Sequence, residues 1–364
     1  MTDLRALPLL AAAGFASMVS MRMCDAMLPA LAEAFGAQPA DAAVVVSAFA
    51  LAYGLLQLAY GPLGDRFGKP KVIAVATLAC GLGALAAALS PTLHLLAASR
   101  VVMGAAAAGI IPLTMAWIGD RVPYAQRQQV LARLLGSTVL GMMAGSWAGG
   151  VTAQAVGWRS AFAAVAVLFC ALTLALWSAF RREPAADSCA QGAGFLGQAA
   201  ELLGSPWSRR VLTVAFVEGA LVFGGLAFVP TMLHERFQLP LAEAGAAVAL
   251  FGLGGWLYSR VAARLLRRLG APLMAGLGAA GLAVAFLMLA AMPRWEFAVP
   301  GCLLAGIGFY MLHNTLQTCA TQLSAKARGT GVSMFVCALF LGQSAGVAAA
   351  AWCNPTPVPQ SFVR

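Results

Sequence analysis

Charge is scarce in this sequence. Only 10% of its 364 residues are Asp, Glu, Lys or Arg, while 61% are hydrophobic. Soluble globular domains carry about 25% charged residues. A chain with so few polar side chains has nothing to cover a water-facing surface, so lipid must be the solvent for most of it. Acids are scarcer than bases, 13 against 23, giving a net charge of +10. The Lys and Arg residues lie between long apolar runs rather than in one patch, so no nucleic-acid partner is expected. No Cys-x-x-Cys occurs, and Cys24, Cys80, Cys170, Cys302, Cys319 and Cys337 sit inside apolar stretches. Cysteine there behaves as a small hydrophobe, which leaves no disulfide framework and no metal site. A nucleotide loop, a catalytic triad and a metal cluster are missing too. No enzyme and no cofactor is therefore expected, and any transport should run on an ion gradient.

What the sequence has is a series of apolar runs. A spanning helix needs about 20 mostly apolar residues. Eleven segments qualify: 6–29, 42–60, 72–90, 94–118, 134–156, 160–180, 209–232, 241–259, 272–292, 296–320 and 330–352. The first is too long for a signal-peptide core and is read as a retained span. The expected fold is all-α and integral to the membrane, with an N-terminal bundle of six helices over 1–182, a cytoplasmic linker over 183–208, a five-helix bundle over 209–353 and an outer tail over 354–364. With the N-terminus in the cytoplasm, 17 Lys and Arg fall on the cytoplasmic side and 4 outside, with Arg22 and Arg100 inside spans. That bias fixes the orientation and places the C-terminus outside.

The chain repeats itself. Pro29 and Pro39 recur 201 residues later as Pro230 and Pro240, and Gly141 and Gly145 recur at the same offset as Gly342 and Gly346. Arg127 matches Arg328 at 201, and Gly68 and Pro70 match Gly270 and Pro272 at 202. Duplicated halves of six spans in parallel are a transporter architecture, with the substrate site at mid-membrane between the repeats.

Ionisable groups inside spans are costly and mark function. Arg22 and Asp25 share one face of span 1, and Arg100 enters span 4 to a comparable depth. Asp25 can pair with Arg100 or with Arg22, either as a static lock or as a group that titrates. Glu218 sits near the middle of span 7 without a Lys or Arg on that span. Proton carriage, contact with a cationic substrate and a plain interhelical hydrogen bond are all open to it. Span 10 carries His313 and a polar stripe of Asn314, Gln317 and Thr318, suited either to interhelical bonding or to substrate contact.

The loop between spans 2 and 3 reads Gly61-Pro-Leu-Gly-Asp65-Arg66-Phe-Gly68-Lys69-Pro70-Lys71. Its glycines suit a tight turn and close helix approach, and its basic residues hold it on the cytoplasmic side. This string resembles the loop signature of the major facilitator superfamily almost position for position. Arg100-Val-Val-Met-Gly104 is similar to the family's fourth-span motif. Gly141-x-x-x-Gly145-Ser146-x-x-Gly149-Gly150 resembles the fifth-span glycine motif of its drug:proton antiporter branch, with Ser146 where that branch usually has Pro. Gly157-Trp-Arg-Ser-Ala-Phe162 looks like its link between spans 5 and 6. The resemblance runs from about residue 6 to 350.

It implies the major facilitator fold, with spans 1, 4, 7 and 10 lining a central cavity. It also implies secondary transport in the inner membrane, with proton-coupled efflux of a small molecule first and exchange of a sugar or other metabolite second. Asp25, Arg100 and Glu218 become proton-coupling candidates. Arg22, His313, Asn314 and Gln317 become cavity candidates, and Gly61, Asp65, Arg66, Gly68, Lys69, Gly141, Gly145 and Gly149 form the conformational motif. The implied partners are the substrate, the lipid bilayer and the proton gradient, and a monomer is expected. The family has twelve spans, whereas the stretch after Trp352 is too short and too rich in Pro to cross. A truncated, non-transporting membrane protein or a sensor is the rival reading.

Overall fold

Large apolar residues are exposed over the outside of this protein, and a few charged ones are buried inside it. Leu55, Leu140, Val167, Leu174 and Leu287 are 48%, 60%, 70%, 73% and 68% exposed, while Arg22 and Arg100 are among the largest fully buried side chains. That inversion suits lipid as solvent. In the computed structural model, which describes residues 6–180, 195–323 and 328–353, the described residues contain helices and no strand. A backbone in lipid must satisfy its own hydrogen bonds, which helices do within one segment.

Among the described residues, ten helices are long and apolar enough to cross a membrane: Leu7–Phe35, Pro39–Phe67, Lys69–Ala88, Leu93–Arg121, Arg133–Ala155, Trp158–Phe180, Pro206–Phe237, Leu241–Ala291, Trp295–Ala320 and Gly329–Cys353. The eighth is 51 residues long, about 77 Å at helical rise, against a hydrocarbon core of about 30 Å. Its backbone leaves the helical region at Gly270, with φ 73° and ψ 163°. It therefore supplies two crossings, spans 8 and 9, so the described residues make eleven. The expected gap between them, residues 260–271, is helical instead as far as that kink. Arg and Leu are strong helix formers and carry span 8 out to it.

Other boundaries shift as well. The loop expected around Gly61 is helix through Phe67, and the turn is confined to Gly68, whose φ of 88° favours glycine. Of the expected linker, residues 195–204 form a helix, Phe195–Gly204, and the expected span 7 begins earlier, at Pro206. Residues 181–194 and the tail at 354–364 lie outside the described residues.

The repeat is visible in the packing. A Cβ on Gly141 or Gly145 of span 5 would strike the carbonyl of Phe15 or Val19 on span 1. One on Gly342 or Gly346 of span 11 would strike the carbonyl of Phe216 or Ala220 on span 7. Each of these residues stands 201 positions after its counterpart. Gly104 against Phe49 and Gly306 against Phe251 repeat the same contact at 202. Spans 1 and 7 also break alike. Span 1 passes through a 3-10 turn, Asp25–Met27, and resumes at Leu28 with Pro29 in its first turn. Span 7 passes through a π turn, Gly219–Phe223, and resumes at Val229 with Pro230 in its first turn. Proline fits there because its missing N–H would have no helical partner.

The two bundles meet along spans 5 and 8 and along spans 2 and 11. Backbones nearly touch where Gly150 faces Leu241 and Gly245 faces Ser146. Gln154 accepts a hydrogen bond from the Ala242 N–H at 3.2 Å, and Ser344 donates to the Ser47 carbonyl at 3.0 Å. Tyr53 and Phe340 pack with ring centroids 4.3 Å apart. Tyr53 and Phe340 sit midway along their spans, and the other contacts lie in the halves of the spans away from the Lys- and Arg-rich termini. Nearer the basic end, Gly61 and Gly136 have open space beside them.

Candidate functional site

The break in span 1 leaves Arg22 as the last residue of one helix and Asp25 as the first of a 3-10 turn. Arg22 Nη1 donates to Asp25 Oδ2 at 2.9 Å, and the two side chains are 2% and 0% exposed. Of the two partners open to Asp25, Arg22 makes the contact. Arg100 donates instead to the carbonyls of Ser20 at 2.9 Å and Val45 at 3.2 Å. Its guanidinium lies 4.2 Å over the Phe49 ring. It stays within electrostatic reach of Asp25 without touching it.

Glu218 is likewise buried, at the end of the first part of span 7. Its partner comes from another helix. His313 Nδ1 lies 3.1 Å from Glu218 Oε2, with the Glu218 side chain wholly buried and that of His313 14% exposed. The His313 ring stacks on Phe309 at 4.8 Å and 18°, and sits 5.3 Å from Phe335. Phe309 in turn meets Phe223 at 5.0 Å, Phe251 at 5.4 Å and Tyr310 at 5.2 Å. Phe223 closes the path, since the Arg22 guanidinium lies 4.5 Å over its ring. Arg22 and Phe223 are repeat counterparts, 201 residues apart. A contact between equivalent positions lies on the pseudo-twofold axis, as in any self-matching interface. One aromatic cluster from spans 7, 8 and 10 thus joins the two buried acid–base pairs, one in each half.

Each pair is incompletely satisfied. Among the described residues, Arg22 Nη2, Asp25 Oδ1, Arg100 Nη2 and Glu218 Oε1 are buried without a hydrogen-bond partner. Leaving such groups unmade costs about 1–3 kcal/mol each, more when charged. Such unmet groups collect at functional centres rather than in purely structural cores.

A sequence profile described as Major Facilitator Superfamily matches residues 10–347. The chain belongs to the major facilitator superfamily. It is 24% identical over 341 residues to the inner membrane transport protein YnfM of Escherichia coli (strain K12), covering 91% of this chain and 80% of that one. It is 28% identical over 349 residues to a chloramphenicol resistance protein of Streptomyces lividans, covering 94% and 87%. Among solved structures, the nucleoside transporter NupG superposes with a TM-score of 0.77 at 14% identity, over 97% of this chain and 91% of that one. At that identity the likeness speaks for the fold alone. The chain is thus a multi-pass membrane transporter of the major facilitator type, and its homologues and fold are those of transporters rather than enzymes.

The other expected residues of this facilitator fold scatter over two regions. Asn314 lies within hydrogen-bonding reach of Tyr258 on span 8. Gln317 is half-buried, while the Thr318 hydroxyl is spent on the Asn314 carbonyl at 2.8 Å. Gly141, Gly145 and Gly149 form the face of span 5 that lies on span 1, Gly149 against the Met23 carbonyl. At the basic end, Lys69 Nζ lies 2.7 Å from Asp120 Oδ2 on span 4 and 3.5 Å from Asp65 Oδ1 on span 2. Arg66 lies over the Phe67 ring at 5.1 Å. The sequence reading does not single out Asp120; it stands 51 residues from Lys69, and no spacing rule connects them.

Both acids facing Lys69 are more than half exposed, so each pair is worth under about 1 kcal/mol. Asp120→Asn should lower the thermal stability of the purified protein slightly more than Asp65→Asn, because its contact is shorter. Thermal unfolding in detergent measures both, and the reverse order would mean that Lys69 is held chiefly by Asp65.

Proposed function

We propose that this chain exports a small organic molecule by proton-coupled alternating access, with the two halves rocking around the aromatic cluster. The observation that carries the reading is the pair of buried acids, one per half, each held by a single base and each with an oxygen to spare. A carboxyl so placed has a seat for a proton, and ionisable groups buried in spans mark ion pathways. Asp25 and Glu218 are the proton seats, with Arg100 and His313 tuning them. The excess of Lys and Arg at one end assigns that end to the cytoplasm. The close glycine face of span 5 on span 1 and the likeness to a chloramphenicol resistance protein support export. The working unit is a monomer in the inner membrane.

The test is an efflux and resistance screen of small organic compounds in a pump-deficient bacterial host, with and without an uncoupler. Export should collapse when the uncoupler is added. Asp25→Asn should lose the uncoupler-sensitive component. Transport unchanged by the uncoupler would instead mark facilitated exchange of a metabolite, and full proton-driven export by Asp25→Asn would sink the role given to that acid. A chain that moves nothing would be a non-transporting membrane protein.

A further inference from the structure

We infer that Arg22 anchors an anionic group of the transported molecule, so that the central site takes compact organic anions with an aromatic body. The inference rests on reading the centre of the molecule as the substrate site, but not on the direction of transport or on proton coupling.

Arg22 is nearly completely buried and spends one nitrogen on Asp25. Guanidinium and carboxylate groups often share two parallel bonds; here there is one. Nη2 is left without a partner among the described residues. Arg22 borders a narrow void whose other walls include Met142, Met143 and Ser146 of span 5 and Val248 and Phe251 of span 8. Both halves line it, so rocking of the halves would widen and narrow it. The void measures only about 10 Å³, room for about one water, so a ligand enters as the halves part; Phe251 forms a wall, Phe223 underlies the guanidinium at 4.5 Å, and the methionines are flexible enough to reshape.

The open guanidinium fork sets the ligand's sign, and the local charge of the N-terminal half agrees with it. The buried centre of the N-terminal half holds two guanidiniums, Arg22 and Arg100, against one carboxylate, Asp25. One positive charge is in excess, where an uncompensated charge is expensive. Glu218 lies in the other half against His313, which balances it only when protonated, so the open fork of Arg22 decides and the charge count of the N-terminal half agrees with it. Tyr310, within electrostatic reach of Arg22, and Ser146, which shares the void with it, bring hydroxyls and no formal charge. A ligand carboxylate would cancel the excess and use the fork that Nη2 leaves open, while a cation would add to the excess and a neutral ligand would leave it. Room for the exchange exists on the acid's side too. Arg100 Nη2 also lacks a partner and lies within electrostatic reach of Asp25, so Asp25 can lean toward Arg100 as the ligand takes Arg22.

Benzoate, benzamide and benzylammonium share a ring and differ in the charge of one group. Their binding to the purified full-length protein in detergent can be read by calorimetry and by thermal unfolding, with no gradient present. Benzoate should bind about tenfold or more tighter than benzamide, and benzylammonium should not compete. The double variant Arg22→Gln/Asp25→Asn removes both charges without stranding either, and should lose the preference for benzoate. Arg22→Lys, which keeps the charge but not the fork, should keep a reduced preference. Equal binding of the three probes, a preference for benzylammonium, no binding of benzoate up to its solubility, or an undiminished preference in the double variant would each overturn the inference. If the double variant does not fold, the wild-type selectivity decides alone. Loss of uncoupler sensitivity in the export screen would defeat the proton-coupled reading and leave this result standing.

Discussion

Glu218→Gln is expected to bring proton-driven transport in reconstituted vesicles down to the level of protein-free vesicles, while substrate-for-substrate exchange survives. Glutamine has the size and shape of a protonated glutamate. It can fill the same place beside His313, so the helices need not move. What it cannot do is release a proton. Glu218 has one oxygen 3.1 Å from His313 Nδ1 and the other without a partner among the described residues. A proton can sit on the free oxygen or be shared with the imidazole. The neutral variant is fixed in a form resembling the loaded one, and it carries substrate both ways without drawing on the gradient.

The two assays separate coupling from folding. A misfolded variant fails both, and a merely structural glutamate passes both or fails both. His313→Gln is expected to be milder, since Glu218 remains. It should keep gradient-driven transport at a reduced rate, because one Glu218 oxygen loses the ring that holds it at 3.1 Å. Gradient-driven transport at the wild-type rate in Glu218→Gln would remove this acid from the proton path.

The Glu218–His313 contact also shows where the sequence stops being readable. Its partners are 95 residues apart on different helices. Spacing rules relate residues three or four apart on one helix, which is why Arg22 and Asp25 could be placed on one face beforehand. They cannot state the rotation of one helix against another. Glu218 therefore looked uncompensated on its own span, and Asp120 drew no notice. The π turn after Glu218 carries no sequence signature either, beyond the glycines at 219, 224 and 225.

Span number was legible because lipid thickness dictates the length of an apolar run. The two related halves were legible because close packing needs glycine at fixed places, and duplication copies those places. Pro29 and Pro230 stand at the two restarts of the broken spans, which their repeat spacing alone does not announce. The turn at Gly61 misled because glycine permits a turn without requiring one. In the folded chain Gly61 and Pro62 ride inside the helix Val44–Phe67.

That difference between permission and requirement yields the second large effect. Gly145→Val and Gly346→Val should each cost about 3 kcal/mol or more, the upper end of overpacking. In both, the added Cβ would fall on a backbone carbonyl of the facing span, Val19 in one half and Ala220 in the other. A side chain can turn aside, but a carbonyl moves only if the whole helix does. Gly252 supplies the contrast, since a Cβ there meets the side chain of Met143, which is flexible. Gly252→Ala should therefore be milder than Gly145→Ala. Gly61→Ala and Gly136→Ala meet nothing within 4 Å and should be neutral or stabilising by up to about 1 kcal/mol, from helix propensity alone. Thermal unfolding of the purified variants ranks all of them. The repeat sharpens the ranking, because Gly141→Val and Gly342→Val break counterpart contacts in the two halves and should destabilise by similar amounts. A large cost at Gly61 beside a small one at Gly145 would mean that the spans are not held at glycine distance. The Arg22–Asp25 pair would then lose its fixed seat, because Gly145 and Gly149 press on the carbonyls of Val19 and Met23 on either side of Arg22.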